Sequence, residues 1–324
     1  MNAGARWLAA LIVTLAGAVP AAAEGGFPDR PVRIVVPFPA GGPTDINARI
    51  LGQKLSELWG QGVVIENRPG ANTGIAATMV AKAPADGYTL LAAMDTTLVM
   101  NPATGASMSY DPFRDFAAIT LTAKNTSLLT VRASDGPKTV KDLIARGKAS
   151  PRKLNFGAGI VTTRLAGYQF ARAAGFDVVL VPYKGSAEVV QGLLTGSVDF
   201  IVDGVAASLP LIKSGQFRAL AKLNDRPLAP LPDLQPLSVA SGLPELTDMS
   251  SWIGLVAPAG TPPAVIEKIH ADVVRAYADP AVADRLDKAG INPVTLTPKE
   301  FDHFFRAEAA RWTKAYKDIG ITLN

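Results

Sequence analysis

The chain of 324 residues has no cysteine and only two histidines. The first absence excludes disulfides and thiolate chemistry, even in an oxidising compartment. The second removes most metal and general-base arrangements. His270 and His303 both fall in expected helices, and neither has a metal-ligand partner three or four residues on. There is no Gly-x-Ser-x-Gly elbow and no metalloprotease helix motif, so nothing marks a catalytic centre or a cofactor. An excess of either charge is missing too. The 32 Lys+Arg stand against 28 Asp+Glu, scattered and not gathered in a stripe, which argues against a nucleic-acid partner. The mild positive balance suits an anionic ligand. After the first two dozen residues, no stretch is long and apolar enough to span a bilayer.

What is present begins with a leader. Arg6 is a charged start, Trp7 to Val19 is an apolar run, and Ala21-Ala22-Ala23 is a small-residue cleavage site. There is no twin-arginine pair, and no cysteine to carry a lipid. The expectation for residues 1–23 is a signal peptide cleaved near Ala23, leaving a soluble protein outside the cytoplasmic membrane. A mature chain of about 300 residues exceeds one small core, so two lobes are expected.

Strand and helix signals then alternate. Arg33 to Phe38 reads as a strand, and Asp45 to Trp59 as a helix with Ile46, Ile50, Leu51, Leu55 and Leu58 on one face. Val63 to Glu66 (strand), Thr73 to Lys82 (helix) and Tyr88 to Ala92 (strand) complete a βαβαβ unit, which implies a largely parallel sheet. Two short strands in a row, Ala118 to Thr122 and Ser127 to Val131, mark a passage to a second lobe. A second βα series follows, with strands at 154–156, 178–182, 199–202 and 218–223. Its helices are expected from Thr139, Thr163 and Ser186. A proline-rich passage from Arg226 to Pro244 is the expected return. The predicted division is 24–125 plus 236–324 for one lobe and 126–235 for the other. After a strand at 251–257, a helix opens at Thr261-Pro262. A last helix opens at the capping box Thr297-Pro298-Lys299-Glu300. The stripe Phe301, Phe305, Trp312 and Tyr316 on that helix reads as core. Two α/β lobes with two crossings is the layout of a hinged binder.

Two loops draw the functional reading. Phe38-Pro39-Ala40-Gly41-Gly42-Pro43-Thr44-Asp45 joins a strand to a helix through paired glycines. A helix start offers unpaired N–H groups and partial positive charge. Gly157-Ala158-Gly159-Ile160-Val161-Thr162-Thr163 repeats the arrangement in the second lobe. It is only a partial match to a dinucleotide fingerprint, with Thr in place of the third glycine, and an exported protein has little use for a dinucleotide. Two such helix starts facing each other can bind a carboxylate without Arg or Lys. Asp45 reads two ways: it favours an amine, amide or hydroxyl on the ligand, or it merely stabilises the first helical turn.

The strings Arg30 to Asp45, Gly62 to Ala71, Asp86 to Leu91, Tyr110 to Phe116, Val181 to Gly185, Leu231 to Leu234 and Trp252 to Pro262 closely resemble the Bug receptors, the periplasmic solute-binding proteins of tripartite tricarboxylate transporters. The resemblance spans nearly the whole mature chain. It implies a two-lobed α/β periplasmic-binding-protein fold of the Venus flytrap, type II-like kind, each lobe a mostly parallel sheet flanked by helices. It further implies a small organic acid clamped between two β–α loops and handed to membrane permease subunits. Carried over by position, the contacts are Phe38, Ala40, Gly41, Gly42, Thr44 and Asp45 in the first loop. Ala158, Gly159, Thr162 and Thr163 follow in the second, with Asp203 as a third contact and Tyr183 and Lys184 at the end of the neighbouring strand. The family's usual serines are absent from the second loop, Ile160 and Val161 are bulky, and Asn72 stands where glycine is usual. These departures weigh against citrate-like specificity, and an apolar cleft would favour a mono- or dicarboxylate that is aromatic or longer-chain. Signalling by the loaded receptor to a membrane sensor kinase is the alternative role. A secreted enzyme is a third.

Overall fold

The computed structural model describes residues 26–150 and 152–319. The expected signal peptide and its cleavage point lie outside the described residues. The chain opens with β1 (Val32–Val36), α1 (Pro43–Trp59), β2 (Val63–Asn67), α2 (Gly74–Ala81) and β3 (Thr89–Met94). β1 pairs in parallel with both β2 and β3. Its residues are apolar almost without a break because both faces of the sheet are covered. Val32, Ile34 and Val36 join a core with Leu51 and Leu55 of α1. Val35 faces the opposite core with Ala76 and Val80 of α2.

After a π-helical turn at Thr96–Met100, β4 (Phe116–Asn125) leads across to β5 (Ser127–Arg132) in a second sheet. There follow α3 (Val140–Ala149), β6 (Leu154–Ala158), α4 (Val161–Ala174), β7 (Val178–Pro182), α5 (Ser186–Leu194), β8 (Phe200–Gly204), α6 (Val205–Lys213), β9 (Phe217–Lys222) and α7 (Leu237–Ser241). The chain returns through β10 (Ser251–Pro258) and ends with α8 (Pro263–Tyr277), α9 (Pro280–Lys288), β11 (Ile291–Pro293) and α10 (Pro298–Ile319).

The six-stranded sheet runs β11-β4-β10-β3-β1-β2 and the five-stranded sheet β7-β6-β8-β5-β9. Most strands of each sheet run one way, as expected, with antiparallel strands among them. The strand that has just crossed from the other lobe is inserted antiparallel in each: β10 between β3 and β4, and β5 between β8 and β9. Between the lobes, the Asn224 amide donates to Thr126 Oγ1 at 3.1 Å and to Ser250 Oγ at 2.8 Å, tying the two crossing segments together.

The return crossing lies later than the predicted boundary at 235/236. Leu237, Leu246 and Met249 all pack into the core of the second sheet. The prolines stiffen that segment without moving it to the other lobe. Further elements escaped the sequence reading, α7 among them. α6 carries Pro210 inside it, α9 is short, and β11 has only three residues.

The aromatic stripe of α10 is core as expected: Phe301, Phe305 and Trp312 are buried. Phe301 lies so close to β10 that a Cβ on Gly254 would sit 2.0 Å from its ring. We expect Gly254→Ala to lower the urea midpoint of unfolding, at a cost of about 1–3 kcal/mol for overpacking. An unchanged midpoint would show that the ring can move away.

Candidate functional site

A cavity of ≈ 580 Å³ lies between the lobes, at the carboxyl ends of β1, β6 and β8. This is where open α/β sheets place ligands. Another depression, of ≈ 770 Å³, is lined by Lys148, Arg152, Lys153 and Arg172. It sits at the amino ends of β6 and β7, on the far side of the second lobe.

The first wall of the cleft is Phe38 to Thr44. Gly41 takes φ +87, which only glycine adopts without strain. Gly42 precedes the first turn of α1 with no side chain capping it, and Pro43 stands at the first helical position. The loop is held from behind. Asp45 Oδ2 accepts from the Gly41 N–H at 2.9 Å and from Arg49 Nε at 2.9 Å. Asp45 Oδ1 accepts from the Asn67 amide at 2.9 Å, and the same amide nitrogen donates to the Phe38 carbonyl at 3.0 Å. Burial pushes the Asp45 carboxyl up, but the donors from Arg49, Gly41 and Asn67 together outweigh it and hold it below the usual range.

The second wall comes from three more helix starts. Gly159, Ile160 and Thr163 belong to the turn into α4, and Gly185, Ser186 and Ala187 to the turn into α5. Gly204 and Ala207 belong to α6. With α1, four helices point their N-terminal ends into one cavity. Gly42, Gly185 and Gly204 precede their helices without a side-chain cap. Of the helices away from the cleft, Thr139 caps α3, Asp279 caps α9 and Thr297 with Glu300 caps α10, while α2, α7 and α8 also start without a side-chain cap. Open N–H groups at converging helix ends make an anion site. The cavity floor adds Asn125, Ser127 and Ser251 from the crossing strands, and Met94, Ile160 and Val190 give it apolar surface.

Asp203 stands at the end of β8. Its Oδ1 accepts from Ser186 Oγ at 2.9 Å, and its Oδ2 is buried with no hydrogen-bond partner among the described residues. Burial pushes its carboxyl up to about 6. Asn125 Oδ1 is likewise buried and unpartnered. Among the described residues, Lys184 is the only Lys or Arg lining the cavity.

Of the residues singled out from the sequence, Phe38, Ala40, Gly41, Gly42, Thr44, Gly159, Thr163 and Asp203 come together around this cavity, with Lys184. Five do not line it. Asp45 is turned into its own loop by the hydrogen bonds above. Asn72 occupies a tight turn at φ 46 beside α2, where its carbonyl accepts from Asn101. Ala158 is fully buried as the last residue of β6. The hydroxyl of Thr162 donates to Asp95 at 2.7 Å. The ring of Tyr183 packs under Gly157 and Gly192. The starts of α5 and α6 were missed as walls. Lys184-Gly185-Ser186 repeats the strand, glycine, helix pattern of the two recognised loops and could have been found by it. α6 could not, because Pro210 hid the helix.

Neither histidine lines the cavity, and among the described residues no three His, Cys, Asp or Glu side chains gather as a metal site. A two-lobed fold with an anion-binding cleft between the lobes defines a solute-binding receptor. Residues 47–321 match the tripartite tricarboxylate transporter family receptor, and the chain belongs to that family. BugT of Bordetella pertussis is 32% identical over 315 residues, covering 96% of each chain. Among solved structures, R. palustris Rpa4515 with adipate superposes with a TM-score of 0.85 at 35% identity, over 91% of this chain and 99% of that one. MatC of Rhodopseudomonas palustris with bound malate gives 0.79 at 29% identity, over 89% and 99%.

The Asp45 carboxyl sits below its ordinary 3.8 in the folded protein. Its stabilising contribution is therefore present above pH ~4 and lost as pH falls through the lower folded value. We expect Asp45→Ala to cost about 1.5–3 kcal/mol at pH 7, as for hydrogen bonds to a charged group. The difference from the unaltered protein should shrink below pH ~4. Denaturant unfolding at both pH values checks this, and a pH-independent cost would refute it.

Proposed function

We propose that this receptor captures one small organic carboxylate between its lobes in the periplasm and delivers it to the membrane permease of a tripartite transporter. The observation that carries the reading is the convergence of four helix N-termini on one largely apolar cavity. The glycines before α1, α5 and α6 let a carboxylate approach the backbone N–H groups, and no guanidinium is needed. The two ligand-bound relatives hold dicarboxylates, adipate and malate, and they support the same class here. The apolar surface from Phe38, Met94 and Ile160 favours an acid with a hydrocarbon or aromatic body over a citrate-like one. Asp203 adds selectivity: protonated, it donates a hydrogen bond to a carboxylate oxygen, and ionised it repels one. We read the site as binding without turnover, a reading supported by the receptor family to which the chain belongs.

A thermal-shift and calorimetry panel of mono-, di- and tricarboxylates, aromatic acids and amino acids tests the class. At least one acid should bind at a single site with micromolar or tighter affinity, about −8 kcal/mol or better, and raise the melting temperature. No hit from ligand-free folded protein would defeat the proposal. Gly42→Leu tests the location. A Cβ there meets only the Pro39 carbonyl, at 3.9 Å, so the fold should survive while the side chain fills the cleft and abolishes binding.

A further inference from the structure

Thr162 has the position of a ligand donor but gives its hydroxyl to a side chain of the other lobe. Asp95 follows the last residue of β3, in the first sheet, and is fully buried. Its Oδ1 accepts from the Thr96 N–H at 2.6 Å and from Thr96 Oγ1 at 3.4 Å, and its Oδ2 accepts from Thr162 Oγ1 at 2.7 Å. The partner lies in the first turn of α4, in the second lobe. Lys124–Asp248, Asn292–Thr126 and Asn224 with its two partners also tie the lobes, but they sit at the crossing segments themselves. The Asp95–Thr162 bond stands apart from them, beside the cleft, since Met94 lines the cavity. The start of α4 is embedded around it: Val161 and Leu165 pack into the core of the first lobe with Leu98, Trp252 and Trp312. Ile160, on the wall of the cleft, packs against the other face of that lobe with Phe38.

We infer that Asp95 is a positioning residue for ligand capture: by holding Thr162 across the lobe boundary it docks the α4 wall of the cleft onto the first lobe and biases the receptor toward its closed form. The inference rests on the reading of the cleft as a binding site that closes. It explains why the second loop carries threonine and apolar residues. They face the opposite lobe and not only a ligand.

The bond also makes closure sensitive to pH. Burial pushes the Asp95 carboxyl up to about 7, the hydrogen bonds from Thr162 and Thr96 pull the other way, and the Glu308 charge on α10 adds to the rise. Glu308 itself is paired with Arg311. When the lobes part and water reaches Asp95, its carboxyl returns toward the ordinary range. The closed form therefore takes up a proton that the open form does not. Closure is strongest at acid pH, weakens as pH rises toward 7 and levels off above it, where Asp95 is ionised in both forms.

The chain has no cysteine, so paired labels can be introduced cleanly. Val64 on β2 and Val179 on β7 are half exposed, and each lies on the outer strand of its sheet. Nitroxide labels at V64C and V179C report the distance between lobes by pulsed electron spin resonance, with no ligand needed. In ligand-free protein, Asp95→Ala and Thr162→Val should each shift population to longer distances, while Asp95→Asn, which keeps an acceptor for Thr162, should not. Between pH 5.5 and pH 8 the unaltered protein should open more than Asp95→Asn does. Asp203 titrates in the same range in both proteins, so their difference is the readout. Distances unchanged in both Asp95→Ala and Thr162→Val would overturn the inference, as would identical pH responses in the unaltered protein and Asp95→Asn. Circular dichroism verifies folding, and Thr162→Val carries the test if Asp95→Ala fails to fold. In a second arm, titration with adipate should show affinity lowered roughly fivefold to tenfold in Asp95→Ala, the change one buried hydrogen bond produces. Adipate failing to bind any of the proteins would count against the carboxylate proposal alone, because the distance measurements stand without it.

Discussion

Backbone N–H groups at the start of a helix must bond to something, and at this cleft the protein leaves them open. Gly42, Gly185 and Gly204 bring no side chain to cap α1, α5 and α6, whereas α3, α9 and α10 are closed by their own threonine or aspartate. The rest of the molecule serves that arrangement. The sheets aim the helix starts at one another. The hydrogen bonds that Asp45 accepts from Gly41 and Asn67 hold the first loop in a conformation that keeps it open to the cavity. The cost of unfilled donors is tolerable only because an anion or water can reach them.

The two lobes solve the same problem in the same way. Each sheet has the order second, first, third strand, then an antiparallel visitor, then a fourth strand. The visitor is β10 in one and β5 in the other. Both arrive directly from the opposite lobe, so the crossing segments end inside the sheets and not at their margins. Asn125, Ser127 and Ser251, which line the cleft floor, are the end residues of these crossing strands. Hinge and floor are therefore one piece of structure, and a group binding there also touches the pivot.

Much of this was legible in the sequence. Strong periodicity and turn chemistry located β1 with α1, β7 with α5, and the capping box of α10. The glycine pattern located two of the four helix starts. What escaped was decided by tertiary context. Pro210 disguised α6, and with it the wall at Gly204. The prolines between 227 and 244 suggested a linker, yet Leu237 and Leu246 return that stretch to the second core. Most telling are Asp45 and Thr162. Each is a polar residue at a helix start, the type that a ligand would use, and each is consumed within the chain, Asp45 by Gly41, Arg49 and Asn67 and Thr162 by Asp95 of the other lobe. Asp45 had been open between helix and ligand, and the partner of Thr162 lies 67 positions away. No local pattern records such a pairing.

The placement of β10 has a consequence for the order in which the molecule can assemble. The second lobe is one continuous stretch, 127–249, and can complete itself as soon as that stretch is available. The first lobe cannot. Its sheet lacks a central strand until residues 251–258 arrive, and β4 has no neighbour linking it to β3 without them. Domains fold as units once their parts are present. A chain emerging N-terminus first would thus finish its second lobe before its first. Until then β1, β2 and β3 wait as an open edge, a template for wrong pairing.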